Sequence, residues 1–240
     1  MNDQSTIDIL TGSPLRERFA PEARLRKRDC FSEILEWLES GDRTVGILYG
    51  LRETGKATLI GQVINHLQED SFAKAAYLLL NRDTDMREVR LTMRELYNNG
   101  FRLFFIDEAT APKDFIGSAA LYSDIYAQSG AKVLLSGTDS LGFSLAKGDS
   151  LYDRCTLFHT SYIPYREFER VLDVHDIDKY IEYGGTMCIS GTNDSRSVFR
   201  SRESTDEYVD SAIAMNIQHA LEGYRDGGRM VNHPRMNSRA

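Results

Sequence analysis

With 240 residues, 41% hydrophobic and 27% charged, the chain can bury one sizeable core and a small appendage. Its net charge of −7 argues against a surface built mainly to hold nucleic acid. No run reaches the about 18 uninterrupted apolar residues of a membrane span, and residues 1–20 lack a signal peptide's basic start and apolar stretch, so a cytoplasmic location is expected.

Residues 22–40 predict a helix, with Phe31, Ile34, Leu35 and Leu38 recurring on one face and Gly41-Asp42 ending it. Residues 44–49 (TVGILY) read as a short buried strand running into Gly50. A helix over 56–68 follows, its apolar face made by Leu59, Ile60, Val63, Ile64 and Leu67. The apolar run at 75–80 (AAYLLL) predicts the next strand. A helix over 85–98 then carries Met86, Val89, Met93 and Leu96, with Asn98-Asn99-Gly100 as its cap. Residues 101–106 form a third strand ending in Asp107-Glu108. Pro112 can open a further helix and Gly130 close it. Residues 132–135 are a fourth strand, 136–140 a polar loop and 156–160 a fifth strand. Beyond Pro164 only helices are expected, over 165–172, 177–182 and 206–224. A polar loop at 190–204 and a mobile tail from 227 complete the chain.

Strands alternating with helices predict an α/β fold, a three-layer architecture with a parallel central sheet. The expected division is an N-terminal extension over 1–21, a core over 22–163, a helical segment over 164–226 and a tail over 227–240. Cys30, Cys155 and Cys188 stand far apart, and the five histidines form no cluster, so neither a disulfide nor a structural zinc is expected.

The sharpest motif is Gly50-Leu51-Arg52-Glu53-Thr54-Gly55-Lys56-Ala57-Thr58. Glycines at both ends let the backbone wrap a phosphate, and the following helix turns its positive dipole end toward the anion. Lys56 would reach the β- and γ-phosphates. Placed between a strand and an amphipathic helix, the motif reads as a P-loop.

One position departs from the pattern. The residue after the lysine should carry a hydroxyl to ligate Mg²⁺, and here it is Ala57. Thr58 is adjacent but points about 100° away around the helix. Phosphate binding should survive this change, whereas tight Mg²⁺ binding and turnover are put in question.

Asp107, at the end of an apolar strand, would hold the metal, and Glu108 would polarise the attacking water. Ser136 and Thr138 are candidates to touch the γ-phosphate, although an ordinary strand-to-loop turn explains them equally well. No Asn/Thr-Lys-x-Asp segment suited to guanine is present, which favours ATP.

These motifs and their order resemble prokaryotic AAA-type ATPases of the archaeal-ATPase group, over roughly residues 24–187. The likeness rests on the YGLRETGK loop, the IDE strand end, SGT, Tyr152-Asp153-Arg154, the segment Ile163-Pro164-Tyr165-Arg166-Glu167-Phe168 and Tyr183-Gly184-Gly185. It implies an additional-strand P-loop core with a small C-terminal helical lid. It also makes Arg154 a candidate γ-phosphate sensor or arginine finger, acting in its own chain or across a subunit interface. Members often continue into a DNA-binding or nuclease-like region, where this chain has a polar tail.

The expectation is therefore Mg²⁺-dependent ATP hydrolysis coupled to conformational change. The alternative is a non-hydrolysing nucleotide-binding switch, motivated by Ala57. A homo-oligomer or a protein partner fits either reading, and a nucleic-acid-binding regulator fits the charge least.

Overall fold

The computed structural model describes residues 7–50, 54–112, 114–138, 151, 153–160 and 163–183, apart from the side chains at 116, 179, 182 and 183. The expected loop at 190–204, the helix at 206–224 and the tail lie outside these residues.

Among the described residues six strands form one sheet: β1 (Asp8–Thr11), β2 (Val45–Tyr49), β3 (Ala75–Leu79), β4 (Leu103–Asp107), β5 (Lys132–Gly137) and β6 (Cys155–His159). Their order is β1-β3-β4-β5-β2-β6. All neighbours pair in parallel except β1, which runs antiparallel along β3. Strand β5 thus lies between β2, which leads into the P-loop, and β4, which ends in Asp107. That insertion defines the additional-strand type of P-loop core, as expected.

The strands alternate their side chains between two cores. On one face Leu48, Tyr77, Phe105 and Leu134 pack with α1 (Gly12–Phe19), α2 (Cys30–Glu39) and α3 (Lys56–His66). On the other, Ile47, Leu78, Ile106 and Leu135 pack with α5 (Met86–Asn98) and a π-helical turn (Tyr122–Ala127). A short α4 (Glu69–Phe72) leads into β3, and α6 (Phe115–Ser118) follows β4. Helices α7 (Tyr165–Leu172) and α8 (Ile177–Tyr183) come after β6, close to the expected bounds.

Two expected helices differ from the structure. The helix expected over 22–40 begins at Cys30. Ahead of it, a 3-10 turn (Ala20–Arg24) gives way to extended backbone at Leu25, with ψ 146°. The Gln62 amide donates to the Leu25 and Arg26 carbonyls at 3.1 and 3.3 Å, and so ties down the extended segment. The helix expected between Pro112 and Gly130 is split into α6 and the π-helical turn, and Gly130 ends it at φ 84°. No element was expected before residue 22, yet β1 and α1 form there. Leu15 and Phe19 of α1 are buried in the core on the α3 face.

Candidate functional site

The P-loop strand supplies the first part of the site. Val45, Gly46, Ile47 and Leu48 are buried between strands, and the chain leaves the sheet at Gly50. A Cβ at Gly50 would stand 2.1 Å from the Thr160 carbonyl oxygen, so only glycine fits this close crossing. Residues Leu51, Arg52 and Glu53 lie outside the described residues. The loop closes through Gly55, which at φ 85° and ψ 19° forms the left-handed N-cap of α3. Since glycine has no capping side chain, it leaves the first-turn N–H groups of α3 to other acceptors, as an anion site requires.

Lys56 opens α3, is buried, and donates from Nζ to the Gly50 carbonyl at 2.8 Å. Its ammonium therefore sits at the point where the chain leaves β2. Thr54 is buried and shares a 2.8 Å hydroxyl contact with Thr160. Ala57 is exposed and Thr58 is half-buried.

The second part stands across β5. Tyr49 pairs with Gly137 and Ile106 with Leu135, so Gly50, Ser136, Thr138 and Asp107 gather along one edge of the sheet. Side-chain alternation puts Asp107 and Ser136 on the face of Phe105 and Leu134, the same face as α3. Asp107 is buried, and both of its oxygens accept bonds. Oδ2 takes the Tyr77 hydroxyl at 2.9 Å, and Oδ1 takes the Glu108 N–H at 3.0 Å.

Glu108 adopts the left-handed region at φ 52°, which costs a non-glycine residue on the order of 1 kcal/mol or more. The turn is fixed by Ala109 N–H donating to the Ser136 carbonyl at 2.8 Å and Ala111 N–H donating to the Glu108 carbonyl at 2.9 Å. Ser136 Oγ is fully buried and, among the described residues, has no hydrogen-bond partner, and Thr138 is also buried. The edge thus offers a lysine, a helix N-terminus, an orphaned hydroxyl and a fixed carboxylate, a donor set that fits a metal-bound polyphosphate.

The chain belongs to the AAA domain family. The family's sequence profile matches residues 42–169, which holds the P-loop, β4 and the first turn of α7. AAA domains are P-loop nucleotide-binding ATPase domains that generally take ATP with Mg²⁺. No curated protein matches the sequence.

Among solved structures, the closed state of Hsp104 with ATPγS and FITC-casein shares 15% identity at a TM-score of 0.49, over 73% of this chain and 34% of that one. The extended S. cerevisiae Hsp104–casein complex shares 13% at 0.48, over 91% and 41%. C. elegans PCH-2 shares 16% at 0.40, over 82% and 58%. The chain spans less than two thirds of each of these proteins, and its fold assignment rests on its own strand order.

Arg154 lies elsewhere in this AAA domain. Its carbonyl accepts from Val45 N–H at 2.9 Å, at the start of β2, whereas the P-loop leaves the end of that strand. The strand between them spans about 16 Å, so Arg154 sits on the opposite edge of the sheet. There it is exposed and pairs with Asp124 of the π-helical turn.

Three residues given no site role from sequence, Glu167 having been named only within the 163–168 segment, bond to or behind the candidate site residues: Tyr77 to Asp107, Arg28 to Thr54, and Glu167 to Arg28. The Arg28 guanidinium donates to both Glu167 oxygens at 3.0 and 3.2 Å and to the Thr54 carbonyl at 2.9 Å. Glu167 also accepts the Asp29 N–H at 2.8 Å. Burial opposes ionisation of Glu167, but these hydrogen bonds and the charges of Arg28 and Arg170 prevail and hold its carboxyl below the usual range. Around this pair, Arg26 meets Asp173 at 2.8 Å and Arg170 meets Asp29 at 2.6 Å. The extended segment before α2 is thereby fastened to α7. Among the described residues no helix is long and apolar enough to cross a membrane.

Proposed function

We propose that this AAA domain binds ATP along the edge formed by Gly50, Thr54, Gly55, Lys56, Thr138 and Asp107, and hydrolyses it in a Mg²⁺-dependent reaction coupled to conformational change. The observation that carries this reading is the shared edge and face of Lys56 at the head of α3 and Asp107 at the end of β4, with β5 between them. Lys56 would leave the Gly50 carbonyl for the β- and γ-phosphates, exchanging one charge-assisted bond for stronger ones. The backbone N–H groups at the start of α3, with residues 51–53 of the loop, would neutralise the remaining phosphate charge. A bound Mg²⁺ would supply charge neutralisation between the phosphates. Asp107 would hold it, with Thr58 or water where Ala57 brings no hydroxyl. Glu108 would orient the attacking water and take its proton on a carboxylate oxygen. Ser136 Oγ, buried and unpartnered, suits a contact with the terminal phosphate.

Arg154, remote from its own P-loop, suits a role in a neighbouring copy's site, so the reading includes a homo-oligomer. The test is phosphate release from Mg²⁺-ATP by the natural protein beside Glu108→Gln and Lys56→Ala. Loss in both variants supports a glutamate-assisted ATPase, and equal background in all three ends the hydrolytic reading.

A second reading rests on the exposed Ala57. It is a nucleotide-binding switch that does not turn over and presents its bound state to a protein partner. Ala57→Thr should then create phosphate release absent from the natural protein.

A further inference from the structure

Tyr77 interrupts the apolar strand β3 with a hydroxyl, and the sheet register dictates where that hydroxyl goes. Tyr77 pairs with Phe105, while Leu79 pairs with Asp107. Tyr77 and Asp107 therefore stand two residues apart along the strands on one face, about 6.6 Å of strand rise. A tyrosine spans that gap and an aliphatic residue does not. The observed 2.9 Å bond to Asp107 Oδ2 closes it.

The ring has no freedom to leave. It is buried, meets Phe19 of α1 edge-on at 5.0 Å, and lies on β3 opposite Leu10 of β1.

We infer that Tyr77 is a positioning residue for the Asp107 carboxylate, holding it in the single orientation in which it meets a divalent cation. This rests on the reading of Asp107 as the cation-holding group. Two donors from different segments, the Tyr77 hydroxyl and the Glu108 N–H, fix the carboxylate plane. Each oxygen keeps further acceptor capacity. Ala57 makes that orientation matter more, because the hydroxyl that ordinarily shares the metal is missing and Asp107 carries more of the binding. Residues that orient a metal-holding group typically contribute about 10–100-fold to metal affinity.

The experiment uses the full chain and a fluorescent ATP analogue, titrated with excess Mg²⁺ and again in EDTA, with Mn²⁺ affinity read separately by electron paramagnetic resonance. Tyr77→Phe keeps the ring and removes the hydroxyl. It should leave affinity in EDTA within about twofold, while the metal-dependent gain and the Mn²⁺ affinity fall about tenfold. Tyr77→3-fluorotyrosine, which keeps a donor of the same shape, should retain the gain. A Tyr77→Phe protein that is less heat-stable yet keeps the full metal-dependent gain overturns the assignment and leaves Tyr77 a packing residue. Loss of the gain in the fluorinated protein overturns it equally. If the natural protein binds the analogue with no metal-dependent gain, and Asp107→Asn changes nothing, the reading of Asp107 itself fails and Tyr77 falls with it.

Discussion

Arg28 Nε lies 3.0 Å from Glu167 Oε1, both side chains are buried, and the same guanidinium holds the Thr54 carbonyl of the P-loop. The pair joins positions 139 residues apart. Removing one partner strands a buried charge, so Arg28→Ala should cost about 3–5 kcal/mol in denaturant unfolding. The double change Arg28→Met with Glu167→Leu should cost less than the two single changes added together. Equal additivity would show that the charges do not couple.

Glu167 also predicts an acid response. Its carboxyl titrates lower in the folded protein than in the unfolded chain, so the stability it contributes is complete above the ordinary glutamate value. That stability is lost as pH falls through the lowered folded value. Glu167→Gln should be less stable than the natural protein at neutral pH, and the gap should narrow across that acidic window. Thermal unfolding followed from pH 7 downward reads it directly.

Lys56 offers the plainest binding test. Replacing it with Met keeps the apolar stem and removes the charge, and a charge-assisted bond is worth about 1.5–3 kcal/mol. ATP affinity should therefore fall about 10–150-fold, with little change in unfolding temperature. A binding curve matching the natural protein would place the phosphates elsewhere.

Arg154→Ala should leave ATP affinity within about twofold and remove most turnover, because an arginine supplied to a neighbour's site acts on the transition state and contributes about 10³–10⁵ in rate. Mixing Arg154→Ala with Lys56→Met should recover turnover that neither has alone, since each copy then contributes what the other lacks. Unchanged turnover in Arg154→Ala would return this residue to its surface pair with Asp124.

The core of this fold was legible where a local signal coincided with a tertiary demand. Residues 45–48 and 103–106 are free of charged and polar side chains because both faces of their strands are covered, and Gly50 marks where backbone must pass backbone. Strand β1 was not legible, because its four residues, DILT, lie in a polar stretch and become a strand only by pairing with β3. The start of α2 is hidden for a related reason, since side-chain bonds from Gln62 overrule helical spacing there. At the site, the P-loop and Asp107-Glu108 carry motifs. Tyr77 and Glu167 find their partners only through sheet register and chain return, which no spacing along the sequence encodes.

The missing Cβ of Gly50 has a mechanical side. Thr160 grips the loop's two flanks, its N–H donating to the Tyr49 carbonyl at 2.9 Å and its hydroxyl meeting that of Thr54 at 2.8 Å. Farther along, Glu167 is fastened through Arg28 to the Thr54 carbonyl. The chain that carries α7 is thus pinned to the phosphate loop at two places, like a lever bolted both at its fulcrum and on its arm. A shift of Thr54 must either drag α7 with it or break one of those two fastenings.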